Sequence, residues 1–270
     1  MTESVIRVPV SEIELVVQVR GDGAPPVLFI HGFPFDHALW RHQLAALSRW
    51  HCVAPDLRGA GASGVSESPD DYSVARYAAD LVQVLDHLDI EEAVMCGLSL
   101  GGYIIFELLR RFPERVRAAM LCNTKAAADT AQAKRDRDVM ATVAEQGGAA
   151  AIATQLLPKL LARATRERQP QIVREVTAMI ERAPVRGIVG ALHALRERPD
   201  STPLLPRIRI PVLVVAGDDD QIAPAAGMQE MARAIAGAQF ALIPGAGHVA
   251  PLEQPLAVSA ALADFLAKLR

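Results

Sequence analysis

"CGLSLGG", Cys96 to Gly102, sets a lone serine between two leucines, with Gly97 two residues before it and Gly101 two residues after it. Just upstream, "EEAVMCG" reads as a strand. Just downstream, "GGYIIFELLRRFP" reads as a helix that stops at Pro113. A strand that becomes a helix this abruptly has no room for side chains at the flanking positions, and glycine has no Cβ to clash. Such a turn lifts Ser99 above the carboxyl edge of a sheet, where ligands bind in open α/β folds. The start of the helix adds unpaired N–H groups and a positive dipole end. The N–H of Leu100 is therefore placed to hold a developing oxyanion. Strand, G-x-S-x-G and helix together form a nucleophile elbow.

The same rhythm extends on both sides. "IELVVQVRG" is a loosely alternating strand that ends in a Gly-Asp-Gly turn, and "PPVLFIHG" is a continuous apolar run of the kind buried on both faces of a parallel sheet. "DHALWRHQLAALSR" has apolar residues at helical spacing, "WHCVAPDLRG" is a strand that enters a glycine-rich loop, and "YSVARYAADLVQVLDHLDI" is an amphipathic helix. After "VRAAMLCN" the strands cease. From Thr124 to Pro206 the chain reads as several short helices, interrupted at Gly147, Pro158, Pro170, Pro184 and Pro199. Then "PVLVVAGD", "AAGMQEMARAIAG", "AQFALIPGAG" and "PLAVSAALADFLAKLR" restore strand, helix, strand and helix. This alternation predicts an α/β fold: a mostly parallel central sheet with helices on both faces. Residues 1–123 and 206–270 would form its core, and residues 124–205 a helical insertion.

Composition is compatible with this. Of the 270 residues, 51% are hydrophobic and 4% aromatic, so the core must be built from Ala, Val, Ile and Leu. A net charge of −3 argues against a general nucleic-acid binder. Cys52, Cys96 and Cys122 lie in or beside apolar runs, as buried free thiols would, and match no zinc or redox spacing. The first residues lack the pattern of a signal peptide, and no apolar run is long enough to span a membrane. The expectation is a soluble cytoplasmic protein without a membrane or nucleic-acid partner. Its oligomeric state is left open.

A serine hydroxyl needs a base. His37, His42, His87 and His193 fall in helical patterns and His51 at a strand start, whereas His248 lies in "PGAGHVAPLEQP", just past the last strand at the same sheet edge. The imidazole in turn needs an acidic partner, and "VVAGDDDQIAP" offers Asp218, Asp219 and Asp220 at another strand end. The chain order Ser, Asp, His is the one that goes with this elbow.

With "HGFP", "DLRGAGASG", "GLSLGG", "GDDDQIAP" and "GAGHVAPLEQP" in that order, the sequence resembles the α/β-hydrolase superfamily, in its branch of small esterases, lactonases, C–C hydrolases and cofactor-free haloperoxidases. The resemblance implies Asp220, four residues before Pro224, as the acid. It implies the N–H of Phe33 as the second oxyanion donor, with His31 and Gly32 shaping the loop. Asp56, Arg58, Gly59 and Gly61 resemble a loop that supports the site, and the helical insertion resembles a cap over the pocket. Because Ser99 stands where dehalogenases and epoxide hydrolases of the family carry aspartate, those two chemistries are not expected.

The expected activity is hydrolysis of a small carboxylic ester through an acyl-enzyme, with no cofactor and no metal. A lactonase or C–C hydrolase would use the same residues, as would a perhydrolase or haloperoxidase. A hydrolase-like ligand receptor would usually lack a triad member. Leu156, Leu157, Leu160 and Leu161 are expected to roof the pocket over a floor of Phe33 and Phe35. Residues 124–206 carry 13 Lys and Arg against 9 Asp and Glu, so this segment is basic within an acidic chain. That charge is expected either to lie on solvated faces or to form a rim attracting an acidic substrate or carrier. The apolar roof and floor predict good turnover of neutral short-to-medium acyl esters, with any acidic group held at the far, solvent-facing end.

Overall fold

A computed structural model describes residues 3–269. In it β1 (Glu3–Val10) and β2 (Ile13–Arg20) form a hairpin, followed by β3 (Val27–Ile30), α1 (Arg41–Ala46), β4 (Cys52–Pro55) and α2 (Val74–His87). Next come β5 (Ala93–Leu98), α3 (Leu100–Arg111) and β6 (Val116–Cys122). Four helices then intervene: α4 (Ala131–Leu160), α5 (Arg163–Arg168), α6 (Pro170–Glu181) and α7 (Val185–Glu197). The chain closes with β7 (Val212–Gly217), α8 (Ala225–Arg233), β8 (Gln239–Ile243), α9 (Ala250–Glu253) and α10 (Pro255–Leu266).

The eight described strands make one sheet in the order β1-β2-β4-β3-β5-β6-β7-β8. β1 with β2 and β2 with β4 are antiparallel, and every later pair is parallel. The apolar runs explain the order. β3, β5 and β7 are buried along their whole length and β6 nearly so, as strands covered on both faces must be, whereas edge strand β8 is half exposed. Helices pack around this sheet, with α3 against β5 and β6, and α8 against β7 and β8. Cys52, Cys96 and Cys122 are free and buried, and burial pushes the Cys52 thiol up to about 12.

Some boundaries differ from expectation. The helix expected from Asp36 onward is a short 3₁₀ turn followed by a six-residue α1. The first break in the helical segment falls at Gly148 rather than Gly147, where φ is 69°, a value that favours glycine. Pro158 does not interrupt α4, which runs through it to Leu160. Pro170 and Pro184 do mark helix starts.

Ion pairs between the inserted helices and the sheet domain account for part of the charge imbalance. Arg182 of α6 forms a bidentate pair with the buried Asp36, Nε–Oδ2 2.6 Å and Nη2–Oδ1 2.9 Å. Arg186 of α7 pairs with Glu67, and Glu175 of α6 receives Arg41. At the closest approach, a Cβ on Gly187 would lie 1.7 Å from the carbonyl oxygen of Gly59, so only glycine fits where α7 crosses this loop.

Candidate active site

Ser99 sits between β5 and α3 with φ 53° and ψ −107°, a backbone state that costs a non-glycine residue roughly 1–3 kcal/mol. The surroundings enforce it. Ser99 N–H donates to the carbonyl of Cys122 at 2.9 Å, and the Thr124 hydroxyl donates to the Ser99 carbonyl at 2.8 Å. A Cβ on Gly97 would lie 2.5 Å from the carbonyl carbon of Gly101, and one on Gly101 would lie 2.3 Å from the carbonyl oxygen of Ile30. Both glycines are thus required by the close passage of α3 over the strands.

His248 and Asp220 come from the loops after β8 and β7. Both are buried, and Nδ1 of His248 lies 2.9 Å from Oδ2 of Asp220. Oδ1 of Asp220 accepts the N–H groups of Ile222 at 2.8 Å and Ala223 at 2.9 Å. Burial alone would raise the Asp220 pKa. The charge and hydrogen bond of His248, with the Ala223 N–H and the Asn123 amide, outweigh it and hold the carboxyl below its ordinary value. Asp218 and Asp219 are exposed, and Asp219 accepts the N–H of Arg163 at 2.9 Å.

Ser99, His248 and Phe33 line one cavity, together with Tyr103, Lys125, Arg137, Leu156, Leu160, Leu195 and Ile222. Leu156 and Leu160, one helical turn apart, both face it. Leu157 and Leu161 do not line it: Leu157 is rotated about 100° further around α4, and Leu161 lies past its end in extended backbone. Phe35 also lies outside this wall. It lines a neighbouring cavity with Leu100, Leu57, Tyr77 and Ile188, and Phe33 belongs to both. Neither the Phe33 N–H nor the Leu100 N–H donates to an acceptor within the described residues, so both remain available to a ligand oxygen.

Both ring nitrogens of His31 are engaged by backbone. Nε2 accepts the Leu57 N–H at 2.9 Å, and Nδ1 donates to the Gly32 carbonyl at 2.9 Å. Burial lowers its pKa, and the neutral ring ties two loops together. In the next loop, the Asp56 carboxylate accepts from the His37 ring and the Ala62 N–H, and buried Arg58 makes a two-bond pair with Asp80.

Two supporting residues were not foreseen. Asn123, at φ 46° just past β6, donates to Asp220 Oδ2 at 2.8 Å and to the Gly247 carbonyl at 3.2 Å. Glu253 is buried and accepts the N–H of Gly247 on one oxygen and of Ala162 on the other, each at 2.8 Å. His248 N–H donates to the carbonyl of Leu160 at 2.8 Å. The histidine loop is therefore fastened directly to the end of α4. Burial raises the Glu253 pKa against those hydrogen bonds. The only early signal for Asn123 was its place at the carboxyl end of a strand. Glu253 gave none, since its partners are remote in sequence.

Comparison with known proteins agrees with this architecture. Residues 25–255 match the model of the alpha/beta hydrolase fold family. The chain belongs to that family. It is similar to a thermophilic esterase from Thermogutta terrifontis, solved with malate bound, at 36% identity and TM-score 0.93 over 100% of this chain and 99% of that one. It is similar to the enol-lactonase of Burkholderia xenovorans at 29% identity and TM-score 0.90, over 97% and 100% of the two chains. In sequence it is 31% identical to 3-oxoadipate enol-lactonase 2 of Acinetobacter baylyi, over 88% of this chain and 87% of that one. Among the described residues, no helix is long and apolar enough to cross a membrane.

Proposed function

We propose that this α/β hydrolase cleaves small carboxylic esters, lactones included, through an acyl-enzyme on Ser99. The observation that carries this reading is the strained Ser99 elbow sharing one cavity with His248, whose other ring nitrogen is bonded to the ionised Asp220. His248 Nε2 takes the Ser99 proton as Oγ attacks the carbonyl carbon. The N–H groups of Leu100 and Phe33 hold the oxyanion. Collapse breaks the ester bond, and His248 returns the proton to the departing alcohol. Water, deprotonated by His248, then releases the acid and regenerates Ser99. The esterase and enol-lactonase relatives support an ester or lactone as substrate, since both reactions pass through the same tetrahedral centre. The inserted helices serve as the cap: α4 contributes Leu156 and Leu160 to the wall, and α7 contributes Leu195.

The test is a panel of p-nitrophenyl esters and γ- and δ-lactones assayed with the native enzyme and with Ser99→Ala. The variant should keep the fold and lose about 10⁴-fold or more in kcat, the oxyanion hole and binding supplying the residual rate. A variant that retained a tenth of native activity would end the nucleophile assignment.

A further inference from the structure

We propose that the preferred substrate is an anion, whose carboxylate is seated on Lys125 and Arg137 inside the cavity that holds Ser99. This rests on the reading of Ser99 as the nucleophile and adds the substrate class. Two cations and no carboxylate stand on the wall of the cavity. The nearby charges do not balance. Arg137 pairs with Asp129, Nε–Oδ2 3.1 Å, and the same carboxylate receives Arg198, Nη2–Oδ1 2.7 Å. Arg198 is buried, lies 4.2 Å over the Tyr103 ring, and donates to the Leu195 carbonyl at 2.7 Å. Lys125 has no ion pair or hydrogen bond of its own among the described residues. Among these four groups one carboxylate is shared by two arginines and Lys125 has none, and counting the ionised Asp220 beside His248 one positive charge is left over next to a cavity with an apolar wall.

Lys125 is exposed and Arg137 partly buried, so water screens part of their mutual repulsion until a ligand covers them. Burial of part of its side chain, then the charges of Arg198 and Arg137, lower the Lys125 pKa despite opposing pulls from Asp129 and Asp220. A carboxylate would relieve the repulsion through charge-assisted hydrogen bonds to both cations. Leu156, Leu160 and Ile222 would meanwhile cover the short alkyl stretch between that carboxylate and the scissile carbonyl at Ser99. Lys125 and Arg137 thus line the reaction cavity itself, while Lys125 also keeps an exposed face. Arg182 and Arg186, two of the other arginines in residues 124–206, are already spent on Asp36 and Glu67.

The test compares kcat/KM for matched pairs: p-nitrophenyl hemiglutarate against p-nitrophenyl valerate, and p-acetoxybenzoate against its methyl ester. The first pair places the charge on the acyl side and the second on the alcohol side. In at least one pair the anion should be preferred. That preference should fall on the order of 10- to 100-fold in Lys125→Met and in Arg137→Gln, mainly through KM, and should shrink as salt is raised. Lys125→Met removes no bond within the protein, so it separates binding from folding. Calorimetry of glutarate with Ser99→Ala gives a second readout. Binding should be detected there and lost when Lys125→Met is added. If the neutral ester is favoured in both pairs and neither variant changes the ratios, the anion site is refuted while the esterase reading stands. If no ester is turned over, the Ser99 reading fails, and the glutarate titration alone decides the anion site.

Discussion

Asp220→Asn should abolish most activity while leaving the fold in place. The asparagine can be seated in two ways. With its oxygen kept on the Ile222 and Ala223 N–H groups, its NH₂ faces Nδ1 of His248 and the amide of Asn123. Turned over, it opposes an NH₂ to two backbone N–H groups, and each buried donor left unsatisfied costs about 1–3 kcal/mol. The first seating wins. It forces Nδ1 to accept, so the proton moves to Nε2 and the ring can no longer take the proton of Ser99. A loss of about 10⁴-fold in kcat is expected from the wrong tautomer. The cost to stability should stay within about 1–3 kcal/mol, because the Ile222 and Ala223 N–H bonds are kept and only the donor opposite the Asn123 amide loses its acceptor. The Asp220 carboxyl is held below its ordinary value, so its share of stability is present above the ordinary carboxylate range and is lost as pH falls through the folded value. The gap in urea midpoint between the native enzyme and the variant should therefore narrow toward acid pH. Steady-state kinetics on a p-nitrophenyl ester, and urea titrations at pH 7 and at a pH below the ordinary carboxylate range, measure both effects. Activity within tenfold of native would refute the reasoning, as would Asp218→Asn proving to be the inactive variant.

Glu253→Gln should destabilise the protein by about 1–3 kcal/mol, because one of the two N–H groups it accepts would meet an NH₂. It should also lower kcat, since Gly247 and His248 lose an anchor; thermal melts and kinetics together check this, and native values in both would contradict it. Gly101→Ala should cost about 1–3 kcal/mol or more by urea titration, because a Cβ there meets the carbonyl oxygen of Ile30, a backbone atom that cannot swing aside. An unchanged urea midpoint would mean that the strand-to-helix turn has more room than its geometry allows.

The sheet and the position of Ser99 were legible because they depend on local pattern. Apolar runs mark strands buried on both faces, and Gly97 and Gly101 mark a backbone approach too close for any Cβ. The loops bearing Asp220 and His248 were legible as strand ends, although the choice among the three aspartates came from resemblance rather than from pattern. What stayed hidden depends on tertiary approach. Leu156 and Leu157 look alike in sequence, and only the rotation of α4 turns one toward the cavity. Glu253 meets Ala162 across 91 positions. Lys125 and Arg137 carry no local mark of the site, because nothing in the sequence tells a cation that borders a cavity from any other exposed or half-buried cation. Phe35 was grouped with Phe33 by proximity in the chain, but the two part company at the wall between neighbouring cavities.

The most direct test of Ser99 as the nucleophile is covalent labelling with a fluorophosphonate, with the adduct mapped by mass spectrometry of proteolytic fragments. The account predicts a single adduct, carried on Ser99, with hydrolytic activity lost in proportion to labelling and no adduct in Ser99→Ala. An adduct on another side chain, or undiminished ester hydrolysis by fully labelled enzyme, would contradict it.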